Sequence, residues 1–201
     1  YYRRTLWIAF ITFLCNTGLT FFLPIIMKSA FSMPTSEIGL LMIPGALAAT
    51  LLGSAIGLWS DRYGSRRVLK ISHWLMIGGF ILLSFSSKLS PPVIALLVIL
   101  PMIGTNGMLT ASGKLISLTL DQSELGMGMG IFTLAYLLGG AFGPALVGRF
   151  IDLNMSFEMI YIILAVIGLV SFLLTLFVQE TKDKTDQTSS FSKKEEQTVS
   201  N

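Results

Sequence analysis

The chain concentrates charged side chains in one short segment. The sequence WSDRYGSRR, residues 59–67, holds one carboxylate and three guanidinium groups, those of Asp61, Arg62, Arg66 and Arg67. Such groups form ion pairs and charge-assisted hydrogen bonds with one another and with the backbone. Catalysis would need a nucleophile beside a base, or a set of metal ligands, and the apolar runs of the sequence contain neither. We therefore expect a protein that is not an enzyme and that holds no metal and no cofactor.

The sequence around this segment is too apolar for a soluble protein. Of the 201 residues, 53% are hydrophobic and only 12% are charged, whereas soluble domains carry roughly 25% charged residues. About 20 apolar residues cross a bilayer core as a helix, so the uncharged runs predict an all-α membrane protein. Its six transmembrane helices are expected at about residues 5–27, 38–60, 71–88, 91–117, 125–148 and 159–179.

Lysine and arginine are distributed unevenly between the loops. With a cytoplasmic N-terminus, eleven of the 14 basic residues lie on the inner side, and Lys28, Lys88 and Arg149 lie outside. Basic residues favour the cytoplasmic side, so we expect both termini of the chain in the cytoplasm, in the plasma membrane of a bacterium. The net charge of +3 arises from these loops, and no nucleic-acid partner is expected.

Both ends of the chain are polar. The tail, residues 181–201, mixes charged residues with Ser and Thr and lacks the apolar residues of a core, so it is predicted to be a disordered cytoplasmic tail. The start, YYRRTLW, has no Met, and we expect it to continue a longer chain.

Two predicted helices carry regularly spaced small residues. In the second, small residues recur every four positions and lead to Asp61, which predicts a nearly straight ridge for close helix packing; they are Gly45, Ala49, Gly53 and Gly57. The fifth is rich in glycine and proline, which predicts close packing or a bend; its residues are Gly130, Gly139, Gly143, Pro144 and Gly148. The alternative is that these glycines reflect only the abundance of glycine in membrane helices.

Two segments resemble signatures of the major facilitator superfamily. GSAIGLWSDRYGSRRVL is similar to the loop signature G-x-x-x-G-x-x-x-D-R-x-G-x-R-R, although Ser65 stands where a basic residue is common. GIFTLAYLLGGAFGPALVG is similar to the antiporter signature of a fifth helix. The resemblance implies one six-helix half-bundle, residues 1–180, of a transporter whose N-terminal six-helix or eight-helix portion precedes it. TASGKLISLTLDQSELGMGMG looks most like the fourteen-helix drug–proton antiporters, which include Gram-positive tetracycline efflux proteins.

The resemblance also implies a role for the charged loop. In such transporters two halves rock about a central site. Asp61 would dock on the positive N-terminus of a helix from the other half and release it when the halves separate. Gly64 would supply the tight turn, and the arginines would orient the carboxylate or hold the loop at lipid headgroups. For Arg67, a role in membrane topology alone is an equal alternative.

The first and fourth helices would line the substrate cavity. Their polar stripes are Thr12, Asn16 and Thr20 on the first and Asn106, Thr110 and Lys114 on the fourth. Hydrogen bonding between helices is the alternative reading of these stripes. Lys114 would be an interfacial charge if the fourth helix ended near Gly113, and would face the cavity if the helix continued towards Asp121. His73 is expected at the interface.

We predict a fragment of a secondary transporter that exports amphipathic drugs, of tetracycline or multidrug type, with protons as the coupling ion. None of the six uncharged runs contains Asp or Glu, so a buried proton-carrying carboxylate would belong to the other half. The alternatives are a permease for uptake of a small metabolite and a membrane sensor that transports nothing.

Overall fold

Six long helices account for nearly all of the described chain. The computed structural model describes the backbone of residues 2–178, and the side chains of these residues except Ala49, Thr50, Gly53 and Ser54. The predicted tail and the last residues of the predicted sixth helix lie outside this range. The α-helices are α1 (Tyr2–Phe31), α2 (Thr35–Tyr63), α3 (Ser65–Leu83), α4 (Pro91–Thr119), α5 (Gln122–Asp152) and α6 (Phe157–Leu176), with a 3-10 turn at Ser86–Lys88. The prediction of an all-α chain is confirmed.

Four of the described helices are long and apolar enough to cross a bilayer on their own, namely α1, α4, α5 and α6. In α2, the described residues Thr35–Ala48 are mainly apolar. The first turns of α3 carry Arg66, Arg67 and Lys70, which leaves a short apolar remainder. The chain is therefore a multi-pass membrane protein in which α3 relies most on its neighbours and on snorkelling side chains.

The predicted third helix, residues 71–88, is wrong at both ends. The helix begins at Ser65, because the backbone reverses at Gly64 and hydrogen bonding then continues through the charged residues. It ends at Leu83, where the Ser84 hydroxyl donates to the Ile81 carbonyl at 2.6 Å and a 3-10 turn follows. A charged residue marks the edge of an apolar run, but it does not stop a helix at a membrane interface.

Close approaches between helices occur at glycines. Gly104 of α4 lies so near α3 that a Cβ added to it would be 2.6 Å from the Ser72 carbonyl oxygen. α1 packs against α4, α5 and α6, and α3 packs against α4 and α6. The shared core contains large buried side chains from several helices, among them Ile8, Leu19, Met76, Phe80, Met108 and Tyr161.

The outer faces of the bundle are apolar. Leu51 is 70% exposed, Leu96 65% and Leu134 57%. Exposed large apolar side chains are unfavourable in water but suit contact with lipid or with another helical unit. The apolar exterior therefore agrees with a chain that lies within a membrane.

Candidate functional site

The first part of the site is the junction of α2 and α3, residues 60–65, which we call the elbow. It comprises the last turn of α2, Gly64 and the first residue of α3. Gly64 has φ 85° and ψ 140°, a conformation that only glycine adopts without strain. On either side of it, the Ser60 and Ser65 hydroxyl oxygens lie 2.9 Å apart and are hydrogen-bonded. Both serines are buried, with 1% and 0% of their surface exposed. The expected tight turn at Gly64 is thus present, and a buried hydroxyl pair closes it.

The carboxylate of the elbow is held by a lysine from α4. Lys114 Nζ lies 2.8 Å from Asp61 Oδ1 and also donates to the Ser60 carbonyl oxygen at 3.2 Å. The Asp61 side chain is 65% exposed and that of Lys114 is 32% exposed, so the pair lies at the edge of the bundle. The fourth helix does continue beyond Gly113, to Thr119, but the Lys114 ammonium is bound to the elbow.

The three arginines in and directly after the elbow, Arg62, Arg66 and Arg67, do not share one role. Arg66 Nη2 donates to the Leu176 carbonyl oxygen at 3.0 Å, at the C-terminal end of α6. Arg4 joins it there, since its Nη1 donates to the Phe177 carbonyl oxygen at 2.8 Å. Carbonyl groups at a helix C-terminus lack intrahelical partners and carry partial negative charge, so two arginines cap α6. Arg62 and Arg67 are exposed.

The two described glycines of the α2 stripe, Gly45 and Gly57, have different surroundings within the chain, and the straight ridge stays a prediction. A Cβ added to Gly45 would lie 3.3 Å from Met102 Sδ of α4, whereas one added to Gly57 would meet nothing within 4 Å. A spacing of four residues exceeds the 3.6-residue turn, so the stripe rotates by about 40° at each step. The side chains of Ala49 and Gly53 lie outside the described residues.

The glycines of α5 serve packing within the chain. A Cβ on Gly139 would overlap the Phe10 carbonyl oxygen, and one on Gly143 would overlap the Leu14 carbonyl oxygen. Both glycines are buried, and they pack closely against α1 of the same chain. The remaining three signature positions differ in setting: Gly148 approaches Phe22, Pro144 is half-buried, and Gly130 has open space beside it.

The polar stripes bond mainly to their own helices. Thr20 Oγ1 donates to the Asn16 carbonyl oxygen at 2.8 Å, Asn106 Nδ2 to the Met102 carbonyl oxygen at 2.9 Å, and Thr110 Oγ1 to the Asn106 carbonyl oxygen at 2.9 Å. The alternative reading required hydrogen bonds between helices, and these three bonds are each within one helix.

Thr12 and Asn16 differ from the rest of the stripes. Thr12 is fully buried and donates to Met108 Sδ of α4 at 3.5 Å, so it belongs to the packing of α1 on α4. Asn16 is half-buried, and its side-chain oxygen has no hydrogen-bond partner. An unpartnered buried acceptor is costly, so Asn16 is the stripe residue with the clearest capacity for an additional partner.

A buried histidine cluster was not expected from the sequence. His73 is fully buried inside the bundle, and its Nδ1–H donates to the Leu69 carbonyl oxygen at 2.8 Å. Its Nε2 therefore accepts from the Ser171 hydroxyl at 3.0 Å, and Thr175 Oγ1 lies 3.5 Å away. The position of His73 at the interface stays a prediction. The signal in the sequence is the pair Ser171 and Thr175, four residues apart in the mainly apolar α6.

The chain is similar to known proteins. The family model described as Major Facilitator Superfamily matches residues 5–200. A protein of Staphylococcus haemolyticus (strain JCSC1435), named Probable nitrate transporter NarT, is 29% identical over 173 residues. The alignment covers 86% of this chain and 44% of that relative. The chain thus spans less than half of the length of this curated relative.

Proposed function

The chain belongs to the major facilitator superfamily, and from this premise we propose that it is one half of a secondary transporter that works by alternating access. The observation that carries the proposal is the exposed ion pair between Asp61 and Lys114 at the elbow. This contact lies where the end of α2 meets α4, at the edge of the bundle. The proposed partner is an N-terminal six-helix or eight-helix portion of the same protein.

The energy of this contact suits a switch. An exposed ion pair contributes about 0.2–1 kcal/mol, and a carboxylate at a helix N-terminus gains about 0.3–1 kcal/mol. Asp61 can therefore leave Lys114 and bind a helix N-terminus of the other half at little net cost. In this mechanism Lys114 holds the carboxylate while the halves are apart, and the other half takes it when that side of the transporter closes.

The proposed substrates are amphipathic drugs, with tetracycline the first to test, exported in exchange for protons. The polar groups on α1 and α4 are dispersed and uncharged: Asn16, Thr20 and Asn106 are half-buried and Thr110 is exposed. Scattered amides and hydroxyls among apolar and Met side chains suit large ligands with few charges, since Met-rich walls can repack around different shapes. The fifth-helix signature favours export, and the proton carrier is assigned to the other half.

Uptake of a small anion is the second candidate, and the relative named as a nitrate transporter favours it. A small anion needs a positive charge in its binding site. The six predicted helices contain only two basic residues, Lys88 at the end of the third and Lys114 in the fourth, and the Lys114 ammonium is bound to Asp61. An anion site would therefore take its cation from the other half, which is why we place drug export first.

One experiment separates the two candidates. The full-length gene is expressed in drug-sensitive bacteria that lack their own nitrate uptake, and accumulation of tetracycline, of a cationic dye and of nitrate is measured with and without a protonophore. Export predicts low drug accumulation that rises with the protonophore. Unchanged drug accumulation together with nitrate uptake would replace export by anion uptake.

The switch is tested in the same cells. Asp61→Asn removes the charge without changing the size, and we expect transport to fall about twofold to fivefold at equal membrane levels, because a docking contact of about 0.3–1 kcal/mol in the closed state is lost. Asp152→Asn is the matched control, since Asp152 is an exposed carboxylate at the end of α5. Equal transport by both variants would remove Asp61 from the mechanism.

A further inference from the structure

We infer that the paired hydroxyls of Ser60 and Ser65 are a positioning device that holds the Asp61 carboxylate against Lys114. The inference rests on the proposed function, because it assigns a role within the same switch. It concerns two neutral side chains, to which neither the charge pattern nor the family resemblance assigns a role.

The first step is the connection between α2 and the rest of the bundle. Ser60 lies in the last turn of α2, next to Asp61, and Ser65 is the first residue of α3. Their hydroxyl bond of 2.9 Å spans Gly64, whose backbone would otherwise allow several directions of the chain. Because both serines are buried, water does not compete for this bond, and the bond fixes the end of α2 relative to the start of α3.

The second step is the connection between α3 and Lys114. α3 packs at backbone distance on α4, where a Cβ on Gly104 would lie 2.6 Å from the Ser72 carbonyl oxygen and 2.8 Å from the Met76 nitrogen. A contact between backbones leaves little room for sliding. α4 carries Lys114, so the position of Lys114 is fixed relative to α3. The hydrogen bond between Ser60 and Ser65 fixes the end of α2 relative to the same pair of helices.

The third step is that Lys114 bonds to two acceptors at the end of α2. Lys114 Nζ bonds both Asp61 Oδ1 and the Ser60 carbonyl oxygen. Both acceptors are bonded at once only if the last turn of α2 keeps its distance and its rotation. The Ser60 side chain supplies this constraint through Ser65, so a single residue joins the turn and the ion pair.

The burial of Ser65 also explains why a small residue stands there. With 0% of its surface exposed, Ser65 is covered by other atoms, which a long basic side chain would have to displace. A lysine or arginine at this position would have to leave the pocket, and the bond to Ser60 would be lost. We therefore expect Ser65→Arg to weaken the contact between Asp61 and Lys114 as much as Ser65→Ala does.

The test measures the Asp61–Lys114 contact directly and does not depend on transport. The purified full-length protein is treated with a zero-length carbodiimide, which joins a carboxylate to an ammonium in contact, and the coupled peptide is quantified by mass spectrometry. Lys114→Arg is the blank, because a guanidinium does not couple. Ser84→Ala is the matched control, since the Ser84 hydroxyl bonds within its own helix at the other end of α3.

We expect Ser60→Ala and Ser65→Ala each to lower the coupling yield about threefold to tenfold, the range that corresponds to one buried hydrogen bond. The double variant should lose no more than either single variant, because both changes break the same bond. Ser84→Ala should couple like the unmodified protein. Thermal unfolding of each variant shows whether the fold is kept.

Three results would overturn the inference: equal yields in all variants, equal losses in Ser84→Ala and Ser65→Ala, or a double variant whose loss is the product of the single losses. A normal coupling pattern in a protein that transports none of the tested compounds would contradict the proposed substrates and leave the positioning role supported. The two proposals therefore fail by different measurements.

Discussion

Replacement of one glycine on α5 should reveal how closely α1 and α5 approach. A methyl group at Gly143 would overlap the Leu14 carbonyl oxygen and lie 2.9 Å from the Gly18 nitrogen. These are backbone atoms, which cannot rotate away, so we expect Gly143→Ala to incur overpacking near the upper end of its usual cost, about 3 kcal/mol. The same change at Gly130, where nothing lies within 4 Å, should cost no overpacking.

The pair of variants isolates this steric cost. Alanine favours a helix over glycine by about 1 kcal/mol, and this gain is common to both positions, so it cancels in the comparison. The two variants should therefore differ by about 3 kcal/mol in the free energy of unfolding, with Gly130→Ala slightly more stable than the unmodified protein. At about 2–4 °C per kcal/mol for a unit of this size, their melting temperatures should differ by roughly 6–12 °C.

The assay is thermal unfolding of the purified protein in mild detergent, followed by intrinsic fluorescence, with equal expression checked first. Equal melting temperatures for Gly143→Ala and Gly130→Ala would refute the reasoning. That result would mean that α1 and α5 separate without cost and that the glycine pattern of α5 is only compositional.

Three further outcomes are expected. His73→Ala should lower the free energy of unfolding by about 1–3 kcal/mol, because it leaves the Ser171 hydroxyl buried without its acceptor. Unfolding of the purified protein in detergent measures this free energy. An unchanged value would contradict the buried cluster. Gly64→Ala should destabilise by roughly 1–3 kcal/mol, because φ 85° and ψ 140° are strained for any residue with a Cβ. Gly78→Ala, in open space on α3, should not destabilise, and equal effects would argue against strain at the elbow. Raising the salt from about 0.01 to 1 M should reduce carbodiimide coupling within the exposed ion pair, because the screening length falls from about 30 to 3 Å, and a salt-independent yield would show that the pair is shielded from solvent.

Much of the architecture follows from local properties of the sequence. Long uncharged runs require backbone hydrogen bonds to be satisfied internally, which a helix achieves on its own, so the all-α membrane class was predictable. The turn at Gly64 was expected from the resemblance of this segment to a family signature, and glycine alone adopts its backbone conformation freely. The ends of α3 were not predictable from charge, since charged residues can continue a helix into the interface.

The partners of each side chain were decided by the tertiary structure. Spacing along a helix fixes which residues share a face, but it does not fix the direction of that face, which depends on how helices rotate and shift as they pack. Gly143 therefore met α1 of the same chain, and Gly45 and Gly57 of one sequence stripe met different surroundings. The sequence by itself determined a helical membrane protein with a charged turn. Only packing decided that Lys114, 53 residues away, would hold Asp61, because contacts between distant residues depend on the summed geometry of every helix and loop between them.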